Sequence, residues 1–340
     1  MKTPPAPQSV LIYSMGEVIG DGLIKLPFIA SLRDAFPGAT IHWCAAKGST
    51  VYSTALKAIV AGFIDEVIDG GVTGTRVSDL ILLRQPFGGR RFDVVIDTQT
   101  NVRRSLVVKR AISQKSGLFV SPAAEFRLSQ HKLTAPWPEA MVDRLQMLAS
   151  MAAGRPVAAK PVALTDPRAI EAAAALLPDG PEYVGFAPGA GGVSKRWPLE
   201  RFIALAQAQT AQGRTPVFFI GPDEAEMAAP VCAALPTALF PETGRSDDFP
   251  DIKGPLLVIA LASRLTAAVA NDSGPGHMLA AGGSPLLSLQ GVRRKAVKFH
   301  PAASRLTMLI AEDFGAPLDM TAIPLEEAQR ALDALIAEVG

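Results

Sequence analysis

The sequence predicts an α/β protein with two doubly wound parallel sheets, and three observations support this class. Its 340 residues exceed the size at which one hydrophobic core usually divides, so two domains are expected. Hydrophobic residues make up 49% of the chain and aromatic residues only 6%, which favours helices layered on parallel sheets over a β-sandwich. Short apolar runs also alternate with segments of helical periodicity in both halves.

The first half is typical of repeated βαβ units. A helix is predicted in DGLIKLPFIASLRDAFPG, because its apolar residues recur at helical spacing before a Pro-Gly stop. A later helix is predicted in PEAMVDRLQMLASM. The strands are predicted, in chain order, in SVLIYS, TIHWCAA, EVIDG and DVVIDTQ.

The same alternation restarts in the second half. A Pro- and Ala-rich stretch at residues 152–169 predicts the connector between the halves. The expected domains are residues 1–155 and 156–322, followed by a C-terminal helix in residues 323–340. Helices are predicted in LERFIALAQAQTAQG and LEEAQRALDALIAEVG, and strands in YVGFAPGAGG, PVFFIGP, LFPETG, AAVANDSG and PLLSLQG.

Composition narrows the class of protein further. A net charge of +1 argues against a nucleic-acid partner. Cys44 and Cys232 stand alone, so we expect two buried thiols and neither a disulfide framework nor a structural zinc site. The N-terminus lacks the features of a signal peptide, and Ser263 and Arg264 interrupt the longest apolar run before it reaches the length of a membrane span. A cytoplasmic protein is expected, with peripheral contact with the inner membrane left open.

The stretch SMGEVIGDGLIKLP, residues 14–27, follows the first strand, where α/β sheets bind ligands. Gly16, Gly20 and Gly22 surround Asp21 there. The glycine spacing is GxxxGxG and not GxGxxG, and no acid ends the second strand, so a NAD-binding loop is poorly supported. From spacing alone, Asp21 is either the N-cap of the next helix or a carboxylate with a chemical role.

Two further loops have the composition of a phosphate site. In GFAPGAGGVSKRWPLERF, small residues free the backbone amides and Lys195 follows, which suits a diphosphate; a solvated surface loop is the alternative. Trp197 is predicted to be a packing residue. In AAVANDSGPGHMLAAGG, a helix expected to begin at His277 would direct its free N–H groups at an anion.

The third loop leaves two residues with alternative roles. Asp272 ends a strand with no obvious basic neighbour, so it is either an acceptor for sugar hydroxyls or a turn residue. His277 either donates to a phosphate oxygen or caps its own helix. The acidic run at residues 246–248 is interpreted as solvated surface.

Together these segments resemble glycosyltransferase family 9, the lipopolysaccharide heptosyltransferases and their relatives. The resemblance covers both halves and implies the GT-B architecture, two Rossmann-like domains facing a central cleft with the acceptor on the first and the sugar nucleotide on the second. The matching segments are IGDGLIKLP, LRDAFPGATI, FAPGAGGVSKRWPLERF, FFIGPDEAE and NDSGPGHMLAAGG.

The resemblance also implies roles for individual residues. Asp21 would be the general base that deprotonates the acceptor hydroxyl. Gln99 and Arg103 would line the acceptor side. The donor and its diphosphate would be held by Lys195, Ser194, Gly191, Asp272, Ser273, Gly274, His277 and Glu224. Helix amides and Lys195 would stabilise the leaving diphosphate, so neither a metal nor another cofactor is expected.

The expected activity is an inverting, metal-independent transfer of a heptose or related sugar. The donor would be a nucleoside-diphosphate sugar of the ADP-heptose type, and the acceptor lipopolysaccharide or another cell-envelope glycan, a glycolipid or polysaccharide. A monomer is expected. A sugar-nucleotide 2-epimerase of the same architecture is one alternative. A non-catalytic nucleotide-sugar-binding relative is another, because Ala190, Gly191 and Gly276 depart from the family pattern.

Overall fold

The computed structural model describes residues 6–70, 90–111, 117–131, 133, 135–162, 164, 166–243 and 248–338. Of the acidic run at residues 246–248, only Asp248 lies within these ranges. The chain forms two compact units, Met1–Val162 and Ala163–Gly340. This division lies a short distance after the boundary predicted at residue 155, and the C-terminal helix is part of the second unit.

The first unit has a parallel five-stranded sheet in the order β3-β2-β1-β4-β5. Its central strands β1, β2 and β4 are almost entirely buried, as expected for strands covered on both faces. The strands are β1 Ser9–Ser14, β2 Thr40–Ala45, β3 Glu66–Ile68, β4 Val94–Asp97 and β5 Leu118–Val120. The described helices are α1 Ile19–Ile24, α2 Leu26–Ala35, α3 Lys57–Val60, α4 Val102–Ala111 and α5 Met141–Ala153.

The helix predicted after β1 is divided in two. Lys25 ends α1 and precedes α2, and Pro27 occupies the first turn of α2. Proline has no N–H to donate inside a helix, so a new helix begins here and the first does not continue. As a result, α1 is a short separate helix that follows β1.

The second unit has a parallel five-stranded sheet in the order β10-β9-β8-β6-β7. Its strands are β6 Tyr183–Ala187, β7 Thr215–Phe218, β8 Leu265–Asn271, β9 Leu286–Gln290 and β10 Leu306–Ile310. The described α-helices are α6 Pro167–Leu176, α7 Leu199–Ala211, α8 Ala228–Ala234, α9 Gly254–Ala262, α10 Gly274–Ala281, α11 Arg293–Phe299 and α12 Leu325–Ala337. Short 3-10 turns at Val193–Lys195 and Pro222–Met227 follow β6 and β7.

The strand predicted in LFPETG is reduced to a single residue. Leu239 forms an isolated parallel bridge with Val217. Its N–H donates to the Pro216 carbonyl at 2.9 Å, and its own carbonyl accepts from the Phe218 N–H at 2.8 Å. If Leu239 is counted as a strand and the strands of the second unit are numbered from one, their order is the doubly wound 3-2-1-4-5-6. The five strands of the first unit follow the same order, 3-2-1-4-5.

Side chains of β6 alternate between the two faces of the second sheet. Val184 and Phe186 pack in one core, together with Trp197. Tyr183 and Ala187 pack in the other. The sheet is therefore covered on both sides, and ligands can reach it only at its ends.

Two expectations about surfaces can be compared with the structure. Cys44 is buried as predicted, but Cys232 is exposed on α8, so the prediction of a second buried thiol is wrong. The short helix α8 turns this position away from the core that Val231 enters. No helix of the described residues is both long and apolar enough to span a membrane.

Candidate functional site

Both sheets have a switch point, a place where the strand order reverses and the connections leave in opposite directions. It lies between β1 and β4 in the first unit and between β6 and β8 in the second. Ligands of such sheets bind beyond the carboxyl ends of these strands. The segments at these ends are residues 15–21, 98–103, 188–195 and 272–277, and they contain all the predicted site residues except Glu224, which follows β7.

The N-terminus of α10 carries two buried polar side chains without a partner. Ser273 is its N-cap and makes no side-chain capping bond, and its Oγ has no hydrogen-bond partner. His277 is 7% exposed, and its Nδ1 is equally unpartnered. The helix begins at Gly274 and not at His277, so the imidazole lies within the first turn. Free N–H groups and two unpartnered polar side chains together can bind an anion.

The imidazole of His277 is neutral at physiological pH. Burial lowers its pKa to about 4, the charge of Asp272 opposes this, and His300 and Lys195 lower it further. A neutral imidazole carries one N–H donor and one acceptor nitrogen. The capping interpretation of His277 is wrong, because Ser273 is the N-cap of α10 and His277 Nδ1 makes no hydrogen bond.

An ion pair joins the segments that follow β6 and β8. Lys195 Nζ lies 3.0 Å from Asp272 Oδ2, although 77 residues separate them in the chain. The expectation that Asp272 has no basic neighbour is therefore wrong. Within the described ranges, no three His, Cys, Asp or Glu residues are grouped closely enough to hold a metal ion.

The segment after β6 is open to solvent around its glycines. A Cβ added to Gly191 would meet nothing within 4 Å. Ser194 is exposed and makes no hydrogen bond with any described residue. By contrast, a Cβ on Gly189 would lie 2.9 Å from Glu224 Cδ, so Gly189 makes room for that carboxylate.

Glu224 is the acidic residue of its segment that faces the site. Its Oε1 accepts from Arg196 Nη2 at 3.3 Å, and its side chain is mostly buried. Asp223 and Glu226 are exposed. Burial thus distinguishes Glu224 from its two acidic neighbours.

Sequence reasoning missed Asn271, the last residue of β8. Its Oδ1 accepts from the Trp197 N–H at 3.0 Å, and its Nδ2 donates to the Pro188 carbonyl at 2.7 Å. Trp197 itself is buried, which confirms its predicted packing role. Asn271 therefore fixes both ends of the segment after β6. An amide residue ending a strand next to Asp272 is a signal that the sequence contained.

Gly276 is explained by packing. A Cβ there would lie 3.1 Å from both Ala270 Cβ and the Asn271 carbonyl oxygen, so α10 approaches β8 closely at this point. Gly276, where the chain departs from the family pattern, therefore lies on the side of α10 that packs against β8. It leaves Ser273 and His277 in place.

In the first unit, Asp21 lies exposed in the first turn of α1. The N-cap of α1 is Val18, whose side chain makes no capping bond, so the interpretation of Asp21 as an N-cap is wrong. The Asp21 carboxylate makes no hydrogen bond or ion pair with any described residue. It is therefore available to a ligand.

A buried polar network that sequence reasoning missed lies beneath α1. Glu17, 5% exposed, forms an ion pair with Lys25 at 2.7 Å and accepts from Trp43 Nε1 at 3.2 Å and from the Thr50 hydroxyl. Burial alone would raise the pKa of Glu17, but the charge and hydrogen bond of Lys25, with further hydrogen bonds from Ser14 and Thr50, lower it overall. Both ends of α1 are thus held by charges inside the unit.

Glycines bring α1 close to its neighbours. Gly16 has a φ of +110°, and a Cβ there would lie 2.8 Å from the Lys47 carbonyl oxygen. A Cβ on Gly22 would lie 2.5 Å from Val51 Cγ2, and the Gly22 carbonyl accepts from the Tyr52 hydroxyl at 2.8 Å. These two glycines position the helix closely against residues 47–52.

Gln99 and Arg103 follow β4 at the same switch point. Gln99 is buried, donates from Nε2 to Asp97 Oδ1 at 3.2 Å, and leaves its Oε1 without a partner. Arg103 is exposed in the first turn of α4. Asp97 is 0% exposed, and burial raises its pKa to about 6 against hydrogen bonds from Ser105, Gln99 and Ser121.

Comparison with known proteins identifies the family of this chain. The model of glycosyltransferase family 9 (heptosyltransferase) matches residues 81–322. The chain belongs to this family. It is a glycosyltransferase, and no curated protein sequence matches it significantly.

Solved structures agree with the fold of this glycosyltransferase. A family 9 glycosyltransferase from Veillonella parvula matches with a TM-score of 0.69 and 20% identity, over 97% of each chain. The E. coli ADP-heptose lipopolysaccharide heptosyltransferase II matches with a TM-score of 0.62 and 19% identity, over 97% of this chain and 99% of that one. E. coli heptosyltransferase WaaC with ADP matches with a TM-score of 0.66 and 17% identity, over 98% of this chain and 100% of that one. The glycosyltransferase therefore has the predicted GT-B class of fold.

The family match includes the second unit from the segment after β6 to α10. It begins at residue 81 and so leaves out α1 with Asp21. The role of Asp21 accordingly depends on its exposure, its place at a switch point and the motif around it.

Proposed function

We propose that this glycosyltransferase transfers a heptose or related sugar from an ADP-heptose-type donor to lipopolysaccharide or another cell-envelope glycan, with inversion and without a metal. The observation that carries the proposal is the N-terminus of α10, where Ser273 Oγ and His277 Nδ1 are buried and unpartnered beside the Lys195–Asp272 pair. The similar E. coli structures, described as an ADP-heptose heptosyltransferase and a heptosyltransferase with ADP, support the choice of donor.

The donor diphosphate would bind at α10. The N–H groups from Gly274 onward, the Ser273 hydroxyl and the neutral His277 imidazole supply hydrogen-bond donors, and the helix dipole favours the negative charge. Lys195 adds a full positive charge. Across the site, the exposed segment around Gly191 and Ser194 can approach the phosphates with its backbone.

Two carboxylates would hold the sugar hydroxyls of the donor. Asp272 is tied to Lys195, and Glu224 to Arg196, so each has an oxygen oriented by a cation. Carboxylates accept hydrogen bonds from hydroxyl groups and suit ribose or a transferred sugar. Glu224 follows β7 and is the candidate for the ribose.

The chemistry requires one base and a stabilised leaving group. Asp21 would take the proton of the acceptor hydroxyl as its oxygen bonds to the anomeric carbon and the bond from that carbon to the diphosphate breaks. Negative charge grows on the diphosphate in this step. Donors already fixed at α10, together with Lys195, are stabilising there because they need no reorganisation.

The acceptor would be held by the first unit. Gln99 Oε1 is a buried acceptor without a partner, and the guanidinium of Arg103 is exposed and suits an anionic glycan. We expect a monomer that acts in the cytoplasm and needs no cofactor; peripheral contact with the inner membrane is left open.

The test is donor turnover by the purified protein. Thermal shift against ADP, GDP, UDP and TDP sugars identifies the donor, since a ligand that binds only the folded state raises its stability. Transfer to lipopolysaccharide acceptor should then persist in EDTA. Loss in EDTA with rescue by magnesium would reject the metal-independent mechanism. Conversion of the donor to an epimer without acceptor would instead identify an epimerase, and binding without turnover a non-catalytic relative.

A further inference from the structure

Lys25 lies one helical turn after Asp21, the proposed base, but it is paired with another carboxylate. At the C-cap of α1 its backbone keeps the right-handed helical conformation, so Asp21 and Lys25 occupy positions i and i+4 of one turn. Lys25 Nζ nevertheless donates to Glu17 Oε1 at 2.7 Å and to Ser14 Oγ at 2.8 Å. The ammonium group therefore has two carboxylates in its neighbourhood and contacts one of them.

The direction of the Lys25 side chain brings it past Asp21. Long side chains on a helix point back towards its N-terminus, and Glu17 precedes α1. An acid placed four residues before a lysine is the favourable order for an ion pair on a helix. The exposed Asp21 carboxylate makes no ion pair with any described residue. Lys25 is thus kept from a pair that its spacing favours.

Glu17 binds Lys25 more strongly than Asp21 can, because the two carboxylates differ in hydration. The Glu17 side chain is 0% exposed, and its Oε2 accepts from Trp43 Nε1 at 3.2 Å and from the Thr50 hydroxyl. A buried charge is costly unless it is paired, so Glu17 cannot exchange Lys25 for water. Asp21 is exposed and can be hydrated instead.

We propose that Glu17 is a positioning residue for catalysis, which holds Lys25 away from Asp21 and so leaves the base free to accept a proton. This inference rests on the proposed function, since it takes Asp21 to be the base. An ammonium group beside Asp21 would stabilise its ionised form and so oppose proton uptake. It would also occupy an oxygen that the acceptor hydroxyl must approach.

Other titratable groups near α1 are engaged elsewhere or exposed. Tyr52 donates its hydroxyl to the Gly22 carbonyl at 2.8 Å. Burial, together with the charges of Glu17 and Asp21, raises the pKa of Tyr52 well above its usual range, so it stays neutral. Asp69 accepts from the Thr50 N–H at 2.9 Å. The further cations on neighbouring elements are Arg33, which pairs with Asp65, Arg104, which contacts Met15 Sδ, and the exposed Lys47 and Lys57.

Glu17→Gln removes the charge and keeps the shape of the side chain. Its amide oxygen would accept from Trp43 and Thr50 as the carboxylate does, which leaves its NH2 group facing Lys25. Two donors cannot bond each other, so Lys25 should turn to Asp21. We expect kcat to fall about three- to tenfold, because the base is weaker. The acid limb of the kcat profile should move about one unit to lower pH, the lower end of the effect of a neighbouring opposite charge.

The test is steady-state kcat at saturating donor and acceptor across the acid limb, from about pH 5 to pH 8. The double variant Glu17→Gln with Lys25→Met removes the ammonium group as well. It should return kcat to within about twofold of the wild type and restore the position of the acid limb. Glu66→Gln, which removes a carboxylate from an ion pair with Arg90 on β3, is the matched control and should follow the wild type.

Two results would overturn the inference. One is an unchanged kcat and acid limb in Glu17→Gln. The other is an equally low kcat in the double variant, since the loss would then not come from Lys25. A milder variant, Ser14→Ala, removes one acceptor of Lys25 without leaving a buried charge unpaired, and it should shift the acid limb in the same direction by less. If Glu17→Gln does not fold, an unshifted acid limb in Ser14→Ala would overturn the inference.

Failure of the proposed function would give a different result. If Asp21→Asn keeps its activity, Asp21 is not the base, and the mechanism on which this inference rests is rejected. If Asp21→Asn loses activity while Glu17→Gln does not, the base remains and the role of Glu17 alone is rejected.

Discussion

Lys195 Nζ and Asp272 Oδ2 lie 3.0 Å apart and join the segments that follow the two strands at the second unit's switch point. The lysine side chain is 46% exposed, so the pair is a partly solvated one and contributes little to stability. A diphosphate offers Lys195 more negative charge than a single carboxylate does. The pair therefore holds the lysine near its proposed ligand without competing strongly for it.

Lys195→Ala should weaken ADP binding by about 1.5 to 3 kcal/mol, the range for a charge-assisted hydrogen bond. Isothermal titration calorimetry measures this directly. Lys57→Ala, an exposed lysine on α3 of the other unit, is the matched control and should bind ADP as the wild type does. Equal affinity of Lys195→Ala and the wild type would return residues 193–195 to the solvated-loop interpretation.

Asp21→Asn should lower kcat by about 10²-fold to 10⁴-fold, because a general base typically contributes that much. Its melting temperature should hardly change, since Val18 and not Asp21 caps α1. Steady-state kinetics at saturating acceptor measures the rate, and ADP affinity should stay the same. Asp143→Asn, another exposed acid in the first turn of a helix, is the control for any effect of helix charge. Retention of more than about a tenth of the wild-type kcat by Asp21→Asn would remove Asp21 as the base.

Asp97→Asn should stabilise the protein at neutral pH. The folded pKa of Asp97 is raised to about 6 from 3.8, so the folded state binds more protons between these values and stability falls as pH rises through this window. Removing the charge should recover at most about 3 kcal/mol above pH 6, and progressively less towards pH 4. Urea unfolding of both proteins at several pH values measures the difference.

The same variant also tests a second candidate base. Asp97 is fully buried and hydrogen-bonded, so Asp97→Asn should keep kcat within a few-fold of the wild type. A loss comparable to that expected for Asp21→Asn would place Asp97 in the chemistry.

Lys25→Met should destabilise the first unit by about 3 to 5 kcal/mol, because it leaves the charge of Glu17 buried and unpaired. The double variant Glu17→Gln with Lys25→Met should recover much of this loss. The folded pKa of Glu17 is lowered from 4.5, so its stabilising contribution is present above that value and is lost as pH falls through the folded pKa. Chemical denaturation of the three proteins at pH 7 and pH 4 tests both statements. An equally large loss in the double variant would show that packing, and not charge, matters here.

The sequence predicted the fold well where hydrophobic burial is continuous. β1, β2 and β9 are buried runs between turn residues, and their positions were predicted closely. β5 was missed because three residues are too few to show a period. The division of the first helix was also missed, because Pro27 was taken as part of one continuous helix.

The site was predictable as a set of loops but not as a set of contacts. Strand ends and glycines mark the loops along the chain, whereas the pairing of Lys195 with Asp272 depends on how distant segments meet in the fold. Glu17 was overlooked because charged residues are rarely buried unless paired, and its partners Lys25, Trp43 and Thr50 are spread along the chain. Sequence reasoning thus named residues at the strand ends but not the partners that hold them in place.

Because Leu239 pairs with β7 through a single bridge, the residues that follow it can be substituted without disturbing the sheet. Two backbone hydrogen bonds attach Leu239 to β7, and the residues that follow, Phe240, Glu242 and Thr243, line a cavity of about 520 Å³. Substitutions at these three positions would change the cavity without breaking a strand ladder. Such substitutions would leave both sheets and the N-terminus of α10 as they are.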